Sequence, residues 1–154
     1  MGVKMTESIF NSSFEIELRV LLLLSAAKKK AFAVERIVAL DFIVCYAGNF
    51  QMPYLNPQGD NQHMFAELAS RRERIKDSIR SLVTQGLIEV SLDQGYVFAI
   101  SDTGNSFVRK LKSEYAVQYK KIAADAIKQF KTYSDLDLDL MLNDSAVKAV
   151  RGGR

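Results

Sequence analysis

SRRERIKDSIRSLVTQ (residues 70–85), ended by Gly86 and followed by LIEVSL (87–92), Asp93-Gln94-Gly95 and YVFAI (96–100), decides how the rest of the chain is read. Ile75, Ile79, Leu82 and Val83 recur at helical spacing and give the first segment one apolar stripe. Gly86 stands where a left-handed C-cap is wanted, since it has no Cβ to clash. The two short runs that follow are rich in Val, Ile, Phe and Tyr, and Gly95 suits the positive φ of a hairpin turn. Helix, strand, turn, strand in about thirty residues is the back half of a winged helix-turn-helix. The expected fold is mainly α with a small β-hairpin, followed by a long C-terminal helix. Such modules serve DNA and protein partners alike, so the stretch speaks to fold before function.

Upstream, residues 1–11 lack periodicity and are read as a flexible N-terminus. Ser12 and Glu15 form a capping-box signature that opens a helix to about Ala27, apolar nearly all round from Leu21 to Leu24. Lys28, Lys29 and Lys30 follow, either as cations at the negative end of the helix dipole or as phosphate contacts. A second helix is expected from Val34 to Tyr46, closed by Gly48, with Asp41 inside its apolar run. An unpaired buried carboxylate is costly, so Asp41 must reach water or find a donor from elsewhere in the fold. A catalytic acid is the competing reading. Residues 49–65 hold both prolines, Gly59 and three asparagines, which spells a long loop, with His63 as an exposed polar residue. Met64 to Ala69 is expected to be extended, a third strand before the central helix.

Downstream, Ser101 or Asp102 is expected to cap one helix running to about Lys131, with Gly104 weakening its first turn. Val108, Leu111, Tyr115, Tyr119, Ile122, Ala126 and Phe130 follow an 11-residue repeat that keeps them on one side. The stripe is longer than the hairpin domain needs. Leu111, Tyr115, Tyr119 and Ile122 are therefore read as a face for a partner helix, or else as a helix folded back across its own domain. SDLDLDLML (134–142) alternates Asp with Leu, giving an extended strip with one acidic and one aliphatic face. Leu136, Leu138 and Leu140 form a second partner surface in that reading, either adding to a sheet edge or ordering only on binding. The domain plan is residues 1–11, a winged-helix domain over 12–100, an interaction helix over 101–131, and a strip and tail over 132–154.

Arg71, Arg74 and Ser78, with Ser81 and Gln85, form the polar stripe of the central helix, and these residue types suit phosphate and base contacts. Glu73, Asp77 and the acidic turn Asp93-Gln94 oppose that use, while Arg72 and Lys76 snorkel at the edge of the apolar stripe. Arg109, Lys110, Lys112, Lys120 and Lys121 make a basic face that either holds phosphate nonspecifically or is simply solvated. A net charge of +3 permits an anionic partner without demanding one. Cys45 and His63 are the only residues of their kinds, so no intrachain disulfide and no four-ligand zinc site can form. Cys45, in DFIVCYAG, reads as buried. No Gly-rich phosphate loop or nucleophile–base pair appears, so neither an enzyme nor a cofactor is expected. The apolar run Val20 to Ala27 is short of the ~20 residues that cross a bilayer. Without a leader pattern a cytoplasmic chain is expected, the short Met1-Gly2…Thr6 myristoylation pattern notwithstanding.

LLLLSAA (21–27), VERIVALDFIVCYAGNF (34–50), Pro53-Tyr54, Pro57, RRERIKDSIRSLVTQGLIEV (71–90) and the hairpin follow one another in an order that resembles a known family. It is the middle component of bacterial ABC-three-component conflict systems. The chain is similar also to the small winged-helix subunit of Lamassu-type anti-phage systems. The resemblance spans about residues 14–115; the loop 51–65 departs from it beyond its prolines, and the strip 134–142 lies outside it. It implies a non-enzymatic adaptor in antiviral defence, binding an ATPase like the structural-maintenance-of-chromosomes (SMC) proteins and an effector subunit, with DNA met through the complex. Asp41, Gly48 and Phe50 match the family pattern, and the resemblance implies structural roles for them. The alternative from the residues is a dimeric winged-helix transcriptional regulator, with Arg71, Arg74 and Ser78 in the DNA groove.

Overall fold

Ser12 does what its spacing to Glu15 predicts: its Oγ accepts the Glu15 amide at 3.2 Å, and helix α1 runs Ser13–Ala26. The structure, a computed structural model, describes residues 12–57 and 64–152. The readings of residues 1–11, Gly59, His63 and the end of the RGGR tail lie outside those residues. Helix α2 spans Val34–Cys45 with Tyr46 as its C-cap, as expected, and gives way to a 3-10 turn, Ala47–Phe50, so Gly48 lies within that turn and does not itself close the helix. The Gly48 amide donates to Asn56 Oδ1 at 2.7 Å and Tyr54 reaches Asp125, which ties the start of the long loop down.

The strand expected over Met64–Ala69 is a 3-10 turn, Met64–Glu67, leading into helix α3, Leu68–Thr84. Packing overrides the extended reading there: Met64 is buried and the Phe65 ring lies tilted against Phe42, 5.4 Å between centres. Phe32 takes the third-strand position instead, exchanging two 2.9 Å backbone hydrogen bonds with Phe98. Strands β1 (Ile88–Leu92) and β2 (Tyr96–Ile100) form the antiparallel hairpin, pairing Ile88 with Ile100, Val90 with Phe98 and Leu92 with Tyr96. Gly95 turns it at φ 122°, as the sequence requires.

The single helix expected over 101–131 is broken in two. Helix α4 spans Asp102–Arg109 and α5 spans Glu114–Gln129. Ser113 is extended (ψ 155°) and its Oγ accepts the Ala116 amide at 3.1 Å, so a fresh N-cap starts α5. The break swings α5 back onto α1 and α2. Tyr119 and Ile122, read as partner contacts, are fully buried in the chain's own core, and Leu111 and Tyr115 pack partly buried against it.

The Asp–Leu strip is likewise helical: α6 spans Asp135–Gly152. Ser134 Oγ accepts the Asp137 amide and Asp137 returns the bond to the Ser134 amide, both at 3.0 Å. Leu138 and Leu142, one turn apart, enter the core, so Leu138 is not available to a partner; Leu136 and Leu140 stay outside. Arg36 pairs with Asp135 at 2.7 Å and Arg72 with Asp139 at 3.6 Å, docking α6 on α2 and α3.

Gly104 has a steric reason to be glycine. A Cβ there would overlap the Leu87 carbonyl oxygen and lie 2.7 Å from Ile100 Cγ1. Gly104→Ala is therefore expected to destabilise the fold by about 1–3 kcal/mol, despite alanine's helix preference of about 1 kcal/mol. Ser113→Ala should lose about 1 kcal/mol with its cap. Urea melts of both variants check this, and an unchanged Gly104→Ala midpoint would refute the close approach.

Candidate functional site

Asp41 lies mid-way along α2 with no exposed surface. Arg19 of α1 donates to it through Nε (3.0 Å to Oδ1) and Nη2 (3.4 Å to Oδ2). Arg71 of α3 donates from Nη1 to Oδ2 at 2.9 Å, and the Tyr119 hydroxyl of α5 to Oδ1 at 2.6 Å. One turn on, the Cys45 thiol donates to Oδ1 at 3.7 Å and accepts from Arg71 at 3.6 Å. The Arg71 guanidinium also lies 5.6 Å from the Phe42 ring centre. Four helices thus meet on one carboxylate. The acid is held by basic side chains from elsewhere in the fold, one of the two readings its sequence position allowed.

Burial alone would raise the Asp41 pKa, but the charges of Arg19 and Arg71 outweigh it and hold the carboxyl at about 2. Burial, helped by the Asp41 charge, pushes the Cys45 thiol up to about 11, where it is protonated and a poor nucleophile. The same two causes raise Tyr119. With the carboxyl held ionised and the thiol and phenol held protonated, the cluster suits a clamp between helices.

This clamp decides the fate of the polar stripe on α3. Arg71 and Ser78 are buried, and Ser81 and Gln85 donate to Glu17 of α1 at 2.8 and 3.1 Å. The stripe read as a nucleic-acid face is largely the α1–α3 interface, because Asp41 draws Arg71 inward. Arg74, Lys110 and Lys120 remain exposed, on α3, at the end of α4 and on α5.

Among the described residues, exposed apolar side chains line up on two surfaces, apart from single ones such as Phe14, Leu55 and Val117. On the hairpin, Ile88, Val90 and Leu92 and their partners Ile100, Phe98 and Tyr96 share one side, since strand residues alternate. The rung at the base is buried, whereas Leu92 and Tyr96 at the tip are 75% and 69% exposed. An open groove of about 680 Å³ separates this face from α3; Val34, Ile79, Val83 and Phe98 line it, with Lys76 and Arg80 on the helix side. The sequence reading singled out none of Val90, Leu92 and Tyr96, although their alternation was the available signal. The second surface is the outer side of α6, where Leu136 and Leu140 are 65% and 54% exposed. Among the described residues, no group of His, Cys, Asp and Glu could hold a metal ion, and no helix is long and apolar enough to cross a membrane.

A family model, ABC-three component (ABC-3C) system Middle Component 2, matches residues 9–151. The chain belongs to this family. As a middle component it is one part of a multi-component system and has protein partners. The match continues through α6, well past the residue near 115 where the resemblance read from the sequence stops. Neither a curated protein nor a solved structure matches the chain. The three family-pattern positions named from the sequence all have structural work in this middle component, Gly48 by holding Asn56 of the loop. Asp41 is the clamp, and Phe50 is buried edge-on to Phe42 at 6.1 Å.

The clamp should show in the pH dependence of stability. Asp41 titrates at about 2 when folded, against 3.8 for an ordinary aspartate. Its contribution of about 2 kcal/mol is therefore fully present above pH 4 and is lost as pH falls through 2. Asp41→Asn leaves Arg19 and Arg71 buried without their counter-charge and should lose about 3–5 kcal/mol at pH 7, along with that acid-side dependence. Urea midpoints from pH 6 to pH 2 for both proteins test this; parallel curves would rule the clamp out.

Proposed function

We propose that this middle component is a winged-helix adaptor that joins an SMC-like ATPase to an effector in a cytoplasmic anti-phage defence complex, with no catalysis of its own. The order α1, Phe32 bridge, α2, α3, β1, β2 fits the winged-helix plan, with the hairpin as the wing. The observation that carries the reading is the exposed apolar face of that wing. A wing that grips DNA presents cations to phosphate. Here the tip is Asp93-Gln94 and the outermost rung is Leu92 with Tyr96. Burying such side chains against a partner contributes about 1.5–3 kcal/mol each. Burial of Arg71 and Ser78 adds support, since the helix that would read bases has turned those groups inward.

Co-expression with the polypeptides encoded beside it tests the proposal. A tagged chain is expected to capture an SMC-like ATPase. Val90→Glu or Tyr96→Glu should weaken capture about tenfold or more while leaving the circular dichroism unchanged, because both side chains are exposed. Failure to capture any such ATPase, ATP hydrolysis by the chain alone, or tight sequence-selective duplex binding would each sink the reading.

A further inference from the structure

Helix α6 is apolar on two sides. Leu138 and Leu142 pack inward, while Leu136, Leu140, Asn143 and Val147 are exposed, at intervals of four, three and four residues. That is heptad spacing, the seam of a coiled coil, with a polar Asn at one seam position. An 18-residue helix whose inner stripe already secures it to its own core has no structural need of a second stripe. The outer stripe borders a hollow of about 560 Å³ floored by Tyr133, Leu140 and Met141 and edged by Asp137 and Asp144.

Charge decides what can sit there. Asp137 and Asp144 flank the seam on one side, one heptad apart and both exposed; Asp139 flanks the other, with Arg72 as its partner. In a pair of such helices the flanking positions of one face those of the other. A second copy of this stripe would bring carboxylates against carboxylates, which is repulsive. Among the described residues lining the hollow, Lys148 is the one cation, beside Asp137 and Asp144. The described acids favour an occupant that brings cations.

We propose that the outer face of α6 seats a helix from another polypeptide, apolar along its seam and flanked by Lys or Arg. Asn143 then sets the register by meeting a polar residue of the incoming helix. The proposal rests on the adaptor reading only for the source of that helix; the surface itself is defined by spacing and charge.

Three synthetic peptides probe it on the full chain: a Leu-seamed helix with Lys flanks, the same helix with Glu flanks, and a Lys-flanked peptide with its seam scrambled. The first is expected to bind at least about tenfold more tightly than either of the others, and to weaken with added salt. Leu136→Ser with Leu140→Ser should lose about tenfold or more, with the circular dichroism unchanged because both leucines are exposed. Asp144→Lys, which leaves the Ser134–Asp137 cap intact, should shift the preference towards the Glu-flanked peptide. Equal binding of all three peptides, indifference to the leucine changes, or self-association abolished by those changes would overturn the proposal. If the peptides behave as expected and co-expression captures no ATPase, the surface stands and the adaptor reading falls. The opposite pair of results removes the surface alone.

Discussion

One buried carboxylate sets the relative placement of most of this molecule. Asp41 is reached by Arg19, Arg71 and Tyr119, each from a different helix, and each must point its donor at the same few cubic ångströms. A buried ion pair is weak evidence for net stability, since desolvating the charges offsets much of their attraction. It is strong as a constraint, because rotating α1 or α3 about its axis would pull a buried guanidinium off the carboxylate, and rotating α5 would strand the Tyr119 hydroxyl. The apolar stripe Ile75, Ile79 and Leu82 is what such a rotational lock keeps facing inward. The hairpin continues from α3 through Gly86, so the lock reaches the two strands as well.

What the sequence made legible was local. Ser12 with Glu15, the stripe on α3 and the Asp-Gln-Gly turn act within a few residues of themselves, and each forms as read. The failures have physical causes. Between 101 and 131 a continuous apolar repeat masks Ser113, whose cap starts a new helix in the middle of an unbroken pattern. In SDLDLDLML, alternation with period two also places residues four apart on one helix face, so the pattern is ambiguous by construction. Ser134 and Asp137 settle it, and that reciprocal cap was there to be read. Arg71 is a different case: nothing within thirty residues of it hints that its partner is Asp41.

The two surfaces left outside the core differ in character, which fits a part that meets more than one neighbour. The hairpin offers a broad, open apolar face, with Lys76 and Arg80, each paired with an acid of its own helix, on the helix side of its groove. The outer side of α6 offers a narrow seam with acids at its edges. Membership of a multi-component system implies that partners exist. The two surfaces differ in shape and in the charged side chains at their edges: Lys76 and Arg80 at one, Asp137 and Asp144 at the other.

Cys45 has a use beyond packing. It is the chain's single thiol, it is buried, and it touches both Asp41 and Arg71. A thiol reagent cannot reach it while the four helices stay closed on the carboxylate. The speed of its labelling is therefore a clock for opening at the centre of the molecule. Bound partners that tighten the assembly would slow that clock without ever touching the sulfur.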